Sequence, residues 1–87
     1  MIELIGEDIK KVRNLQNMLR AVNLYKNILP EVIVDGIFDE QTENAVKNFQ
    51  QSSGLNPNGV VDIITFEKIV EEYNKTLDDE WNFTIKL

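Results

Sequence analysis

The sequence contains no cysteine and no histidine. Without cysteine there is no disulfide framework, so a fold of this length must rest on a buried apolar core. The same two absences remove the Ser–His and Cys–His nucleophile arrangements and the common zinc ligand sets. Neither a Gly-rich phosphate loop nor the spacing of a calcium loop occurs, and no cofactor is expected. Positive charge is scarce: 9 Lys and Arg stand against 15 Asp and Glu, for a formal net charge of −6. That balance lacks the field that draws proteins to phosphate backbones or holds a helix on an anionic membrane surface. Neither nucleic acid nor a membrane is an expected partner. No apolar run approaches the length that spans a bilayer. The start, Met1-Ile2-Glu3-Leu4-Ile5-Gly6-Glu7-Asp8, has neither a basic leader nor a long apolar stretch, so no secretory signal is expected. The acids permit a glycosidase-like carboxylate pair in principle, but such chemistry needs a deep substrate groove that a small bundle has little volume to form. No enzymatic activity is expected.

What is present describes one folded domain. Apolar residues make up 43% of the chain and charged residues 28%, and 87 residues suffice for a single core. The sequence predicts one domain over residues 1–87, with its core over about 8–74 and a tail over 75–87.

Between Asp8 and Asn23, Ile9, Val12, Leu15, Leu19 and Val22 recur three or four apart, which predicts an amphipathic helix. From Leu24 to Ile37 the pattern lapses and Pro30 blocks continuation, giving a long connector. A second helix follows Asp39, with Ala45, Val46 and Phe49 as its inward stripe and an end near Ser52-Ser53-Gly54. A third carries Thr65, Phe66, Ile69, Val70 and Tyr73 and is expected to dissolve at Asn74-Lys75-Thr76. Trp81, Phe83, Ile85 and Leu87 then alternate with polar residues, the period of a half-buried strand. The tail either folds back onto the helices or pairs with Met1–Ile5 as a two-stranded ribbon, or else it leaves an apolar edge for a partner chain or a further domain. The predicted fold class is all-α: a small three-helix bundle with a long connector between helices 1 and 2 and extended terminal segments.

A repeat organises the helix starts. With an offset of twenty-three residues, Asp35-Gly36 overlays Asn58-Gly59, Phe38 overlays Val61, Asp39 overlays Asp62, Thr42 overlays Thr65 and Val46 overlays Ile69. Each unit has a mechanical reading. The turn residue and glycine reverse the chain, the apolar residue plugs the gap, the aspartate caps the helix and the threonine can bond back to the cap.

These elements, together with Val12-Arg13-Asn14-Leu15-Gln16, Asp35-Gly36-Ile37-Phe38-Asp39, Ala45-Val46-Lys47-Asn48-Phe49-Gln50 and Gly54-Leu55, resemble the three-helix peptidoglycan-binding domain family of bacteria. The resemblance covers roughly Asp8 to Tyr73. It departs in having Asp39 and Asp62 where the family often has glycine, and in a longer connector over Leu24–Val34. It implies non-catalytic binding of peptidoglycan, glycan or stem peptide, as a targeting module for a fused or associated wall hydrolase. It also implies a cell-wall or extracellular location, reached through a parent chain or by lysis. The alternative function is a protein-interaction or assembly domain on the same fold.

For most shared residues a structural role is sufficient: Gly36 and Gly59 in turns, Asp39 and Asp62 as caps, Thr42 and Thr65 beside them, Phe49 in the core. Gln16 and Gln50 sit beside core positions, where an amide must find partners. Pinning a loop is the favoured reading and sugar contact the other. The candidate ligand contacts are Asp35, Phe38, Gln41 and Asn58 around the two turns, with Tyr25 on the connector able to stack on a sugar. The many acids read as solvated faces, to which a wall-peptide amine would be the complementary group.

Overall fold

A computed structural model describes the backbone of residues 6–85 and the side chains of residues 9–77. Three helices are present, α1 (Gly6–Lys26), α2 (Glu40–Ser52) and α3 (Ile63–Ile85), and no strand occurs among the described residues. None of these helices is long and apolar enough to cross a membrane.

The core forms where the apolar stripes of the helices meet. Leu15, Leu19 and Val22 of α1, Ala45, Val46 and Phe49 of α2 and Ile69 of α3 are buried together. The connector adds Leu29 and Val32, so the long segment between α1 and α2 is anchored at two points. Ile9, at the start of the predicted stripe, is instead 42% exposed. It lies beside Gly36, whose φ of +78° favours glycine and where an added Cβ would stand 2.7 Å from Ile9 Cγ2.

α1 runs one turn beyond its predicted end. Asn27 ends it in the left-handed region at φ +55°, with its N–H on the Asn23 carbonyl at 2.6 Å. The Asn23 side chain then accepts from Leu29 N–H at 2.7 Å and turns the connector back over the core.

The starts of α2 and α3 share one geometry. Asp39 caps α2 by accepting from Thr42 N–H at 3.4 Å, and Asp62 caps α3 by accepting from Thr65 N–H at 2.8 Å. α2 ends at Ser52 with Ser53 as its C-cap, close to its predicted end.

The C-terminal segment departs from its predicted form. α3 passes through Asn74-Lys75-Thr76 without interruption, and Trp81, Phe83 and Ile85 lie on a helix, so neither an extended tail nor a two-stranded ribbon forms there. Met1–Ile5 and Leu87 lie outside the described residues. The physical reason is continuity. No proline or glycine follows Gly59, and extending an existing helix adds one hydrogen bond per residue fixed without a new nucleus. Ile69, Tyr73, Leu77, Trp81 and Ile85 also stand four apart, a helical spacing that outlasts the short alternation.

Glu72 ties α3 to α1 and is 5% exposed. Its carboxylate pairs with Lys26 at the end of α1, and on its own helix it meets Lys75 at 3.2 Å and Lys68 at 3.8 Å. The Lys26 hydrogen bond is the main cause holding Glu72 below its ordinary value of 4.5, against the opposing effect of burial. Asp62 is lowered by the Thr65 N–H and hydroxyl, and Asp35 by the Ile37 N–H and the Gln16 amide. A carboxyl with a depressed folded value stabilises the fold fully above its unfolded value and loses that contribution as pH falls through the folded one. The urea midpoint is therefore expected to stay level down to about pH 5 and to fall progressively at lower pH. Glu72→Gln should lower the midpoint at pH 7 and flatten the acid limb. An unchanged acid limb would remove Glu72 from this account.

Candidate binding groove

The two turns are held by glutamines from the preceding helices. Gln16 of α1 is fully buried. Its Oε1 accepts from the N–H of Asp35 at 3.0 Å and of Gly36 at 2.8 Å. Its Nε2 faces Thr42 Oγ1 at 2.9 Å, the Ile37 carbonyl at 3.0 Å and Asp35 Oδ1 at 3.1 Å. Two N–H bonds are shared among three acceptors, and the reversed amide would set its NH2 against two backbone donors, so the orientation is fixed.

Gln50 of α2, 1% exposed, repeats this arrangement. Its Oε1 accepts from Gly59 N–H at 2.9 Å, and its Nε2 faces Thr65 Oγ1 at 3.0 Å, the Val60 carbonyl at 3.0 Å and Asn58 Oδ1 at 3.2 Å. Each helix thus fixes the turn that starts the next one. Gly36, Thr42, Gly59 and Thr65 are buried partners of these amides.

The five candidate ligand contacts lie on the two turns, beside the connector and at the end of α1. Asp35 and Asn58 are exposed, but each closes its own turn, accepting from Ile37 N–H and Val60 N–H at 2.9 Å. Phe38 is half-buried and packs against the core. Gln41 is half-buried and donates to the Glu31 carbonyl at 3.3 Å, across the connector. Tyr25 lies on the last turn of α1, not on the connector, and is exposed.

An open groove of about 890 Å³ lies elsewhere, between α1 and the start and middle of α3. Lys11, Asn14, Asn17, Met18 and Ala21 form its α1 side, and Val61, Phe66 and Tyr73 face them. Phe66 is 41% exposed, although the helical pattern placed it in the inward stripe. The groove has an aromatic and thioether floor with amides and one amine at its rim, the composition of a site for a small polar ligand with apolar parts. Along α1, Lys11, Asn14, Met18, Ala21 and Tyr25 follow one another at intervals of three and four, so Tyr25 continues the same wall in register. These lining residues were not legible beforehand, because a groove depends on how two helices cross. The available signal was an aromatic residue one position beyond the buried threonine, Phe66 after Thr65.

Among the described residues, no group of histidine, cysteine or acidic side chains is arranged to hold a metal ion. Two curated relatives, both bearing the name CtpA-like serine protease, come from two strains of Staphylococcus epidermidis. Each is 39% identical over 74 residues, covering 80% of this chain. The chain spans only 14% of the length of those relatives. No solved structure matches it significantly. Residues 9–69, which include most of α1, both glutamine-pinned turns, α2 and the first part of α3, match the family model of the peptidoglycan binding domain, and the chain belongs to that family.

Proposed function

We propose that this domain binds bacterial cell-wall peptidoglycan without acting on it, and that it serves to hold a larger protein or a wall-lytic enzyme against the wall. The observation that carries the reading is the family match across residues 9–69, which takes in both repeated turns and most of the groove. The protease name of the relatives supports an enzymatic partner in the same chain or assembly. A wall or extracellular location follows from the same reading.

The contact face is the α1–α3 groove. Phe66 and Tyr73 offer ring faces, and the Asn14 and Asn17 amides offer paired donors and acceptors at hydrogen-bonding reach of a ligand lying on them. Tyr25 extends this face, whereas Gln41 stands on the connector side and tests the alternative face around the turns.

The experiment is co-sedimentation with washed peptidoglycan sacculi, with chitin and cellulose as controls and salt varied. Saturable retention on sacculi alone is expected. Phe66→Ala should reduce it by roughly tenfold, the loss that follows from removing one well-packed aromatic contact. Tyr25→Ala should reduce it less, and Gln41→Ala should leave it unchanged. Retention lost in Gln41→Ala and kept in Phe66→Ala would move the face to the turns. No retention on walls of several peptide types would replace wall binding with the protein-interaction role.

A further inference from the structure

We infer that the groove selects the stem peptide of peptidoglycan through a free carboxylate, and that Lys11 is the residue that reads it. This rests on the wall-binding reading and adds the ligand class to it. The chain carries more acids than bases, yet none of the acids among the described residues lines the groove. Among the described residues, Lys11 is the one charged residue on its walls.

α1 carries Glu7 and Asp8 in its first turn and, from Ile9 to Lys26, Lys10, Lys11, Arg13, Arg20 and Lys26 with no further acid. Lys26 is consumed by Glu72, and Lys68 and Lys75 are held by Glu71 and Glu72. Lys10, Lys11, Arg13 and Arg20 are exposed and form no ion pair among the described residues. At the helical step of 100° per residue Arg13 and Arg20 fall on the side of α1 opposite Lys11, so among the described residues the charge at the groove is that of Lys11. The side-chain amides of Asn14 and Asn17, one turn and nearly two turns after Lys11, likewise make no hydrogen bond among the described residues.

An ammonium, two amides and an apolar floor together match a short peptide ending in a carboxylate. The charge takes the carboxylate, the amides take peptide groups, and Met18, Phe66 and Tyr73 cover side-chain methyls. An uncharged glycan would leave Lys11 without a partner. The wall-peptide amine, to which the acidic composition is complementary, finds no carboxylate among the described residues of this groove.

The test uses the whole chain and heteronuclear NMR titration with three probes: a synthetic stem peptide with a free C-terminal carboxylate, the same peptide as its C-terminal amide, and an N-acetylglucosamine oligomer. The carboxylate form is expected to bind roughly tenfold more tightly than the amide, since charge-assisted hydrogen bonds are the strong ones. Lys11→Gln should abolish that preference and Lys11→Arg should retain it. Lys11 is exposed, so an unchanged thermal midpoint is expected for both variants. Equal binding of acid and amide, an undiminished preference in Lys11→Gln, or preferential binding of the glycan would overturn the inference. Sacculi retention by the unaltered chain in those cases would leave wall binding standing. Peptide selectivity without retention on sacculi would do the reverse.

Discussion

Gln16→Leu is expected to destabilise the domain by about 2–4 kcal/mol, read as a lowered urea midpoint at an unchanged slope. Leucine matches glutamine in size but supplies neither acceptor nor donor. The buried Gly36 N–H then loses its partner, as does the N–H of Asp35, and Thr42 Oγ1 loses its donor. An orphaned buried polar group costs about 1–3 kcal/mol, more than the bond contributes when made. Thr42 retains the Ile37 carbonyl as an acceptor for its own hydroxyl at 3.3 Å, which limits the loss there.

Gln16→Glu provides the sharper comparison. It keeps the acceptor for the two N–H groups but removes the amide donor and sets a carboxylate against Asp35 and the Ile37 carbonyl. It should be about as damaging as leucine at pH 7 and should recover partly in acid, where the new carboxyl is protonated. Gln50→Leu is expected to produce a similar loss through Gly59 and Thr65. Because the two amides share no partner, their effects should add to within about 0.5 kcal/mol. A loss below about 0.5 kcal/mol in both single variants would mean that the turns hold themselves and the glutamines only follow.

The pair of amides also shows how far the sequence could be read. The turn and cap residues repeat at an offset of twenty-three, whereas Gln16 and Gln50 repeat at thirty-four, mainly because α1 runs on from Gln16 to Lys26 while α2 ends at Ser52, just after Gln50, and also because the connector after α1 is longer. The turn unit is contiguous and visible by overlay. Each glutamine reaches it from the preceding helix, so its role depends on packing that the overlay does not contain. What could be read was that an amide beside core residues must be satisfied, and that condition is met by the turns.

Other features lay beyond local reasoning for identifiable causes. Alternation at Trp81, Phe83 and Ile85 favoured a strand, but a run lacking breakers after an established helix continues as a helix. Glu72 gave no signal, because an acid flanked by lysines at three and four residues looks like a solvated surface pair. Only Lys26, reaching across from α1, reveals its burial. The groove was hidden for the same reason: Lys11, Met18, Phe66 and Tyr73 are far apart in sequence and meet only when the helices pack.

Phe49→Ala is expected to cost about 3–5 kcal/mol, the largest effect of any single truncation considered. Phe49 is fully buried on α2 and belongs to the cluster in which all three helices and the connector meet. Removing its ring withdraws contacts from that cluster and leaves a cavity that the remaining core side chains fill only in part. A domain of this size has about 4–13 kcal/mol of stability in all, so the variant is expected to lie close to its unfolding threshold at 37 °C. Its thermal midpoint should fall by more than about 12 °C. Phe49→Leu, which keeps most of the apolar volume, should recover more than half of the loss. The contrast with Phe66 then separates folding from binding. Phe66 is exposed at the groove, and its truncation should leave the midpoint within a few degrees while sacculi retention drops. Phe49→Ala should lose retention only in proportion to the unfolded fraction, so that adding saturating stem peptide raises its midpoint by linkage. If Phe49→Ala stayed fully folded yet failed to bind, the core aromatic would itself be part of the recognition surface, and the division between frame and groove would fall.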